Sequence, residues 1–172
     1  QQNPKKSIVM YFGKKYGTPP ACVEIMGSPI DFVDEWKYLG TTIRSGCAFS
    51  FSARPDISGF FRAANSVIHV LSGAHEHTLL TLVYTNCVPI LTYACNVKEY
   101  SAADMADCNL AMNNVLRRIF GFSQWQSIRT LREIFGFKSL YETFKLAKDR
   151  FQTACLHHTN PIIVKLSLLL SQ

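Results

Sequence analysis

The spacing of apolar residues changes once along this chain, close to Pro55, from about every second residue to every third or fourth. Before the change, short runs rich in β-branched and aromatic residues alternate with turn-forming Gly, Pro and Ser, which is typical of strands. After it, apolar residues recur at the i, i+3, i+4 spacing of one helical face. We therefore expect an α+β chain, with a small antiparallel β meander followed by an all-helical bundle.

Four strands and five helices are expected from these patterns. The strand patterns cover residues 7–12, 22–26, 30–33 and 36–43, with a tight turn at 27–29. Gly40 then lies inside the last strand, where a glycine weakens pairing unless backbone or a ligand approaches closely. The helical patterns cover residues 56–72, 77–87, 101–120, 127–135 and 139–156.

Local signals support several of these helix limits. Two helices open with serine followed three residues later by Asp or Glu, which is the spacing of a capping box. Pro89 interrupts the helical pattern near Val88, because proline lacks the amide donor and clashes with the preceding turn. Since the composition shifts at residues 46–55, we divide the chain into a β part at 1–46, a linker at 47–55 and a helical part at 56–172.

The net positive charge of the chain comes from its last third. Residues 1–110 contain nine Lys and Arg and nine Asp and Glu, whereas residues 111–172 contain nine of the former and three of the latter. A one-sided cationic region attracts polyanions, of which nucleic acid and anionic membrane surfaces are the usual ones. A solvated helix face is the ordinary alternative.

Several function classes find no support in the sequence. It contains no G-x-S-x-G, H-E-x-x-H, Walker or G-x-G-x-x-G motif, and its Cys and His residues lack the spacing of a tetrahedral zinc site. No apolar run approaches the ~18–20 residues of a membrane span. We expect no metal site in the chain, no membrane association, six reduced and buried cysteines, and an intracellular location (cytoplasm and nucleus) without secretion.

Five segments occur in an order that is recognisable. They are N-P-K-K-S at residues 3–7, K-Y-L-G at 37–40, R-A-A-N-S-V-I at 62–68, V-P-I-L-T-Y at 88–93 and L-R-R-I-F-G at 116–121. In this order, and with the helical tail, they resemble the end of the reverse transcriptase domain of non-LTR (LINE-type) retrotransposons. The resemblance covers nearly the whole chain, and it implies the end of a polymerase palm followed by a thumb.

The resemblance implies roles for particular residues. Lys6 would lie near the phosphates of the incoming nucleotide and protonate the pyrophosphate leaving group; a solvated lysine at a strand edge is the alternative. Tyr38, Leu39 and Gly40 would form the primer grip, a hairpin that holds the 3′ end of the growing strand; a strand bulge is the alternative. The helices after residue 55 would hold the duplex behind the active site.

Six cationic residues are the expected nucleic-acid contacts of that thumb. Two pairs share helix faces at i, i+3 spacing, and the whole set would line one side of a duplex: Arg117, Arg118, Arg129, Arg132, Lys145 and Lys148. Trp125 and Phe122 could stack on bases, but aromatic residues between helices more often lie in the core.

The family resemblance also implies what this chain lacks. Polymerisation needs metal-binding aspartates in an [FY]-x-D-D sequence, to hold the two ions that stabilise the attacking and leaving oxygens. That sequence is not among the 172 residues. We therefore expect a fragment that is inactive alone, whose parent is an RNA-directed DNA polymerase using Mg²⁺.

Two sets of partners follow from these alternatives. As part of a polymerase, the chain would bind an RNA template, a DNA primer and the remainder of the polymerase. The other interpretation is a degenerate or domesticated helical module that binds protein through the apolar residues 162–170.

Overall fold

The computed structural model describes residues 7–18 and 22–170, and it confirms the α+β class. Two small antiparallel sheets precede the helices. Strands β1 (Val23–Ile25) and β2 (Ser28–Ile30) form the first sheet. The second has the order β3-β4-β5, formed by Glu35–Tyr38, Thr41–Arg44 and Ser50–Phe51.

The first hairpin turns at Met26 and Gly27, one position earlier than expected. Both residues have left-handed backbone, with φ of 53° and 75°. Two successive positive φ values match the twist of the flanking strands in a two-residue hairpin. The expected turn at 27–29 is therefore wrong for Ser28 and Pro29, which belong to β2 and pair with Ile25 and Glu24.

The expected single strand at residues 36–43 is a second hairpin. β3 and β4 pair with Trp36 opposite Ile43 and Tyr38 opposite Thr41. Leu39 and Gly40 form the turn, with φ of 47° and 78°. Gly40 thus lies at a hairpin tip and not inside a strand, and its positive φ is the conformation that glycine adopts without a steric penalty.

Two further strand predictions are corrected. Residues 7–12 form no strand, because Val9 makes only an isolated bridge to Phe32. In contrast, β5 lies within the expected linker at 47–55, where Phe51 pairs with Ile43 and its ring packs edge-on against that of Phe49. The end of that segment already belongs to the first helix.

Seven α-helices follow within the described residues. They are α1 (Arg54–Val70), α2 (Glu76–Leu82), α3 (Val88–Thr92), α4 (Ala102–Ile119), α5 (Arg129–Phe135), α6 (Leu140–Leu156) and α7 (Pro161–Leu170). Between α2 and α3 the backbone makes one π-helical turn at Val83–Cys87. The expected interruption before Pro89 takes this form, since the wider turn accommodates a residue that cannot donate.

The two expected serine caps are confirmed. The Ser101 hydroxyl accepts from the Asp104 N–H at 3.1 Å. At α6 the capping box is complete: the Glu142 N–H donates to the Ser139 hydroxyl at 3.2 Å, and the Ser139 N–H donates to the Glu142 carboxylate at 2.8 Å. The hydrogen bonds from the Ser139 backbone and hydroxyl hold the pKa of Glu142 below its ordinary value.

The core lies among the helices. It is centred on α1, α2 and α4, with buried Phe60, Leu80, Leu116 and their neighbours. Helix α7 packs on α6 but leaves large apolar side chains exposed, among them Leu166 and Leu169. Among the described residues, no helix has the length and apolar character needed to cross a membrane.

The cysteines are only partly buried. Cys87, Cys95 and Cys108 are buried as expected, whereas Cys22 and Cys47 are exposed, so the expectation of buried thiols is wrong for these two. Burial raises the pKa of Cys108 to about 12, which keeps that thiol protonated at neutral pH. Its chemistry is thus that of a small core residue.

Candidate nucleic-acid interface

The tip of the second hairpin projects into solvent while its backbone is held by the helices. Tyr38 is 58% exposed and Leu39 is 76% exposed. The Tyr93 hydroxyl, at the end of α3, donates to the Leu39 carbonyl oxygen at 3.3 Å. A Cβ atom at Gly40 would lie 3.0 Å from the Tyr93 ring, which would have to shift by a few tenths of an ångström, and the positive φ of Gly40 also favours glycine.

A depression with a volume of about 490 Å³ separates this hairpin from α1 and α3, and we call it the hairpin depression. Lys37 and Thr42 line it from the hairpin, Arg62 lines it from α1, and Tyr93 lines it from the end of α3. Among the described residues, no hydrogen bond or ion pair is made by the side chain of Lys37 or Arg62. Two cations from different elements therefore face one depression without a protein partner.

Asp56 also lines the hairpin depression, but its charge is already paired. The Lys98 ammonium, whose side chain is 0% exposed, lies 2.7 Å from the Asp56 carboxylate. The Tyr100 hydroxyl donates to the same oxygen at 2.6 Å. Burial, together with the hydrogen bond and charge of Asp56, raises the pKa of Tyr100, so its hydroxyl stays a donor. The unpaired charge at the depression is consequently positive.

A second depression, of about 620 Å³, lies between α4, α5 and the start of α6, and we call it the α4–α5 depression. Three of the six expected cationic residues line it, namely Arg117, Arg129 and Arg132. Lys138 and the carboxylates of Glu133 and Glu142 line it as well. Four cations facing two carboxylates leave this surface positive.

Hydrogen bonds within the protein orient the three arginines. Arg117 donates to the Gln126 carbonyl oxygen at 3.2 Å, and Arg132 donates to the Asn113 side chain at 2.7 Å. Arg129, with a side chain 85% exposed, forms an ion pair of 3.0 Å with Glu133. A guanidinium group held in a fixed plane can donate two N–H hydrogen bonds to the oxygens of one phosphate group.

The other three expected cations lie elsewhere. Lys145 and Lys148 line a third depression, of about 790 Å³, between α4 and α6. Lys148 pairs there with Glu99 at 2.9 Å. Arg118 points to α1, where it donates to the Asn65 side chain.

Both α4 depressions open along one side of that helix. Asn109 lines the α4–α6 depression and Asn113, four residues later, lines the α4–α5 depression. Residues four apart lie one above the other on a helix. Five of the six cations therefore border this side of α4, and Arg118 is separate.

Lys6 lies outside the described residues. Phe122 is half-buried and its ring centroid lies 6.1 Å from that of Phe120, as expected for a core residue. Trp125, in contrast, is 86% exposed, so the prediction of a core position is wrong.

The sequence patterns missed Lys37, Arg62, Tyr93 and Lys138 as site residues. The first three lie inside the segments that carry the family resemblance, which is the signal that points to them. For Lys138, the only indication of a site residue in the sequence is the excess of positive charge in the last third of the chain.

The described residues contain no group of three or more His, Cys, Asp or Glu arranged to hold a metal ion.

Comparison with protein-family models, with curated proteins and with solved structures finds no match. The family resemblance is therefore carried by the five sequence segments alone.

Proposed function

We propose that this chain is the end of the palm and the thumb of a non-LTR-type reverse transcriptase, and that it holds the template–primer duplex. The observation that carries the proposal is the exposed hairpin tip, which Tyr93 fixes beside the unpaired cations Lys37 and Arg62. Its partners are then an RNA template, a DNA primer and the remainder of the polymerase, in the cytoplasm or nucleus.

The hairpin tip suits the end of a nucleic-acid strand. Gly40 lets the turn pack against the Tyr93 ring, while the side chains of Tyr38 and Leu39 stay exposed beside it. Lys37 and Arg62 supply positive charge from the two walls of the hairpin depression. Contacts of this kind position a strand but carry no sequence information.

The two depressions along α4 extend the positive surface. Arg117, Arg129 and Arg132 border one of them, and Lys145 and Lys148 border the other. A duplex carries one negative charge per ~1.7 Å of its axis, so cations that are spread along a surface can each contact a phosphate and add to the affinity. Bond making is not assigned to this chain, because the aspartates that would hold Mg²⁺ are not in its sequence.

Duplex binding is expected to weaken in the double variant Lys37→Gln/Arg62→Gln. Each phosphate contact contributes about 0.9 to the slope of log affinity against log salt for B-form DNA. Losing both contacts should therefore lower the slope by about 1.8. Fluorescence anisotropy with a labelled RNA–DNA duplex, titrated between 50 and ~200 mM salt, measures this change.

The double variant Lys14→Gln/Lys15→Gln is the matched control. It removes the same charge from two exposed lysines in the turn that follows Gly13. We expect its slope to stay close to that of the unchanged chain. Equal losses in both variants would contradict a specific role of the hairpin depression, and no binding by the unchanged chain at low salt would contradict the proposed function.

A second candidate function, protein binding, is favoured by α7. Its side chains Ile162, Leu166, Leu168 and Leu169 are all more than half exposed, and contiguous apolar surface marks interaction sites. If copies of the chain associate through this face, Leu166→Asp/Leu169→Asp should abolish the association, since two buried charges without partners are costly.

Analytical ultracentrifugation measures that association. The control is Leu110→Asp/Ile134→Asp, which places the same charges at exposed apolar positions of α4 and α5. Sedimentation of the α7 variant as the unchanged chain sediments would contradict the second candidate.

A further inference from the structure

Trp125 is the most exposed of the large apolar side chains described, at 86%. Tryptophan offers a large, rigid aromatic face and carries much of the binding energy of the interfaces in which it takes part. An indole that contributes nothing to the core in this way is available to a ligand.

The turn that carries Trp125 is held on both sides. The Ser123 N–H donates to the Gln126 side chain at 2.7 Å, and the Gln126 N–H donates to the Ser123 carbonyl oxygen at 3.1 Å. Ile128, which follows, is buried. Because the backbone on each side of the tryptophan is already ordered, binding there loses little conformational freedom.

The same turn borders the positive α4–α5 depression. Arg117 donates to the Gln126 carbonyl oxygen, and Ser127 lines the depression. Two residues of chain span at most ~7 Å, so the Trp125 backbone lies within about that distance of Ser127 in the lining. Aromatic surface and phosphate-binding charge therefore occur side by side.

We propose that Trp125 and the α4–α5 depression bind an unpaired nucleotide, with the indole stacked on the base and Arg129 and Lys138 on the neighbouring phosphates. A lone apolar patch would suit protein and a lone cationic patch would suit any polyanion, whereas an aromatic face beside cations suits single-stranded nucleic acid. The inference rests on the proposed function and specifies its substrate as a duplex that continues into a single strand. Bases inside a duplex are stacked on one another and have no free face for the indole.

The test uses the two tryptophans of the chain, Trp36 and Trp125. In the variant Trp36→Phe, Trp125 is the only indole. It is titrated with three RNA–DNA duplexes that carry a distal label: one blunt, one with a short single-stranded overhang, and one with an abasic overhang of equal length. The abasic overhang keeps the phosphates and removes the bases.

We expect the overhang with bases to quench Trp125 fluorescence strongly and the abasic overhang to leave it nearly unchanged. Replacing Trp125 by alanine should weaken binding of the overhang duplex about 5- to 150-fold, as expected for loss of one base stack, and should leave binding of the blunt duplex unchanged. Trp125→Phe should retain most of the affinity. Since the indole is exposed, both variants should keep the thermal stability of the unchanged chain.

The outcomes separate this inference from the proposed function. Anisotropy that shows binding of all three duplexes, with equal quenching or none, overturns the inference and leaves the proposed function standing. Equal loss of blunt and overhang binding in Trp125→Ala also overturns it. No anisotropy change with any duplex at low salt overturns both.

Discussion

Replacing Lys98 by methionine is expected to lower the free energy of unfolding by about 3–5 kcal/mol. The Lys98 side chain is fully buried, and its ammonium lies 2.7 Å from the Asp56 carboxylate. Methionine fills a similar space but leaves the carboxylate with only the Tyr100 hydroxyl as a partner. A charge that is mostly removed from water and has lost its counter-ion is the cause of the loss.

Urea denaturation measures that change, and two further variants define it. Lys148→Met breaks the exposed ion pair with Glu99 and should cost only about 0–1 kcal/mol. Adding Asp56→Asn to Lys98→Met should recover much of the lost stability, because the uncompensated charge is removed while the Tyr100 hydrogen bond can remain. A loss in Lys98→Met no larger than in Lys148→Met would contradict the burial of this pair.

Replacing Phe60 by alanine is expected to cost about 3–5 kcal/mol as well. Phe60 lies on α1 within the main apolar cluster and has no exposed surface. Its truncation removes buried apolar area and leaves a cavity that packed helices fill only in part. The melting temperature should fall by roughly 6–20 °C, at about 2–4 °C per kcal/mol for a chain of this size.

Phe151→Ala is the control for Phe60→Ala. Phe151 lies on α6 and is 41% exposed, so the same truncation should cost only about 1 kcal/mol. Equal melting shifts for the two variants would mean that the helical core is not centred on α1.

These stability effects are separate from the binding experiments. Lys37, Arg62 and Trp125 are exposed side chains, and exposed substitutions usually change stability by less than ~0.5 kcal/mol. Loss of binding in those variants therefore reports the surface itself. Lys98→Met is unsuitable as a binding variant, since Lys98 lies 5.5 Å from the Tyr93 ring that supports the hairpin tip.

Features that depend on a few neighbouring residues were predictable. The capping box at Ser139 and Glu142 forms within four residues, and the chain needs no distant contact to make it. The interruption before Pro89 likewise follows from the chemistry of one residue. The α+β class followed from the change of apolar period, because that period decides which element can bury its apolar face.

Features that depend on a distant partner were not predictable. Residues 36–43 have strand-forming side chains throughout, and the hairpin turn at Leu39 and Gly40 is supported by Tyr93, more than fifty residues away. The short strand β5 exists only because β4 is there to pair with it. Residues 7–12 have strand-like composition but pair through a single bridge.

For the candidate site, the amino-acid sequence alone determined how much positive charge the last third carries and which segments resemble a polymerase thumb. Only the tertiary structure decided that Arg117, Arg129 and Arg132 share one depression while Arg118 contacts α1. It also decided that Trp125 is exposed and that Lys37 and Arg62 line the same depression. The physical reason is that charge and local geometry belong to neighbouring residues, whereas which side chains meet, and which stay in water, depends on how distant helices and strands pack.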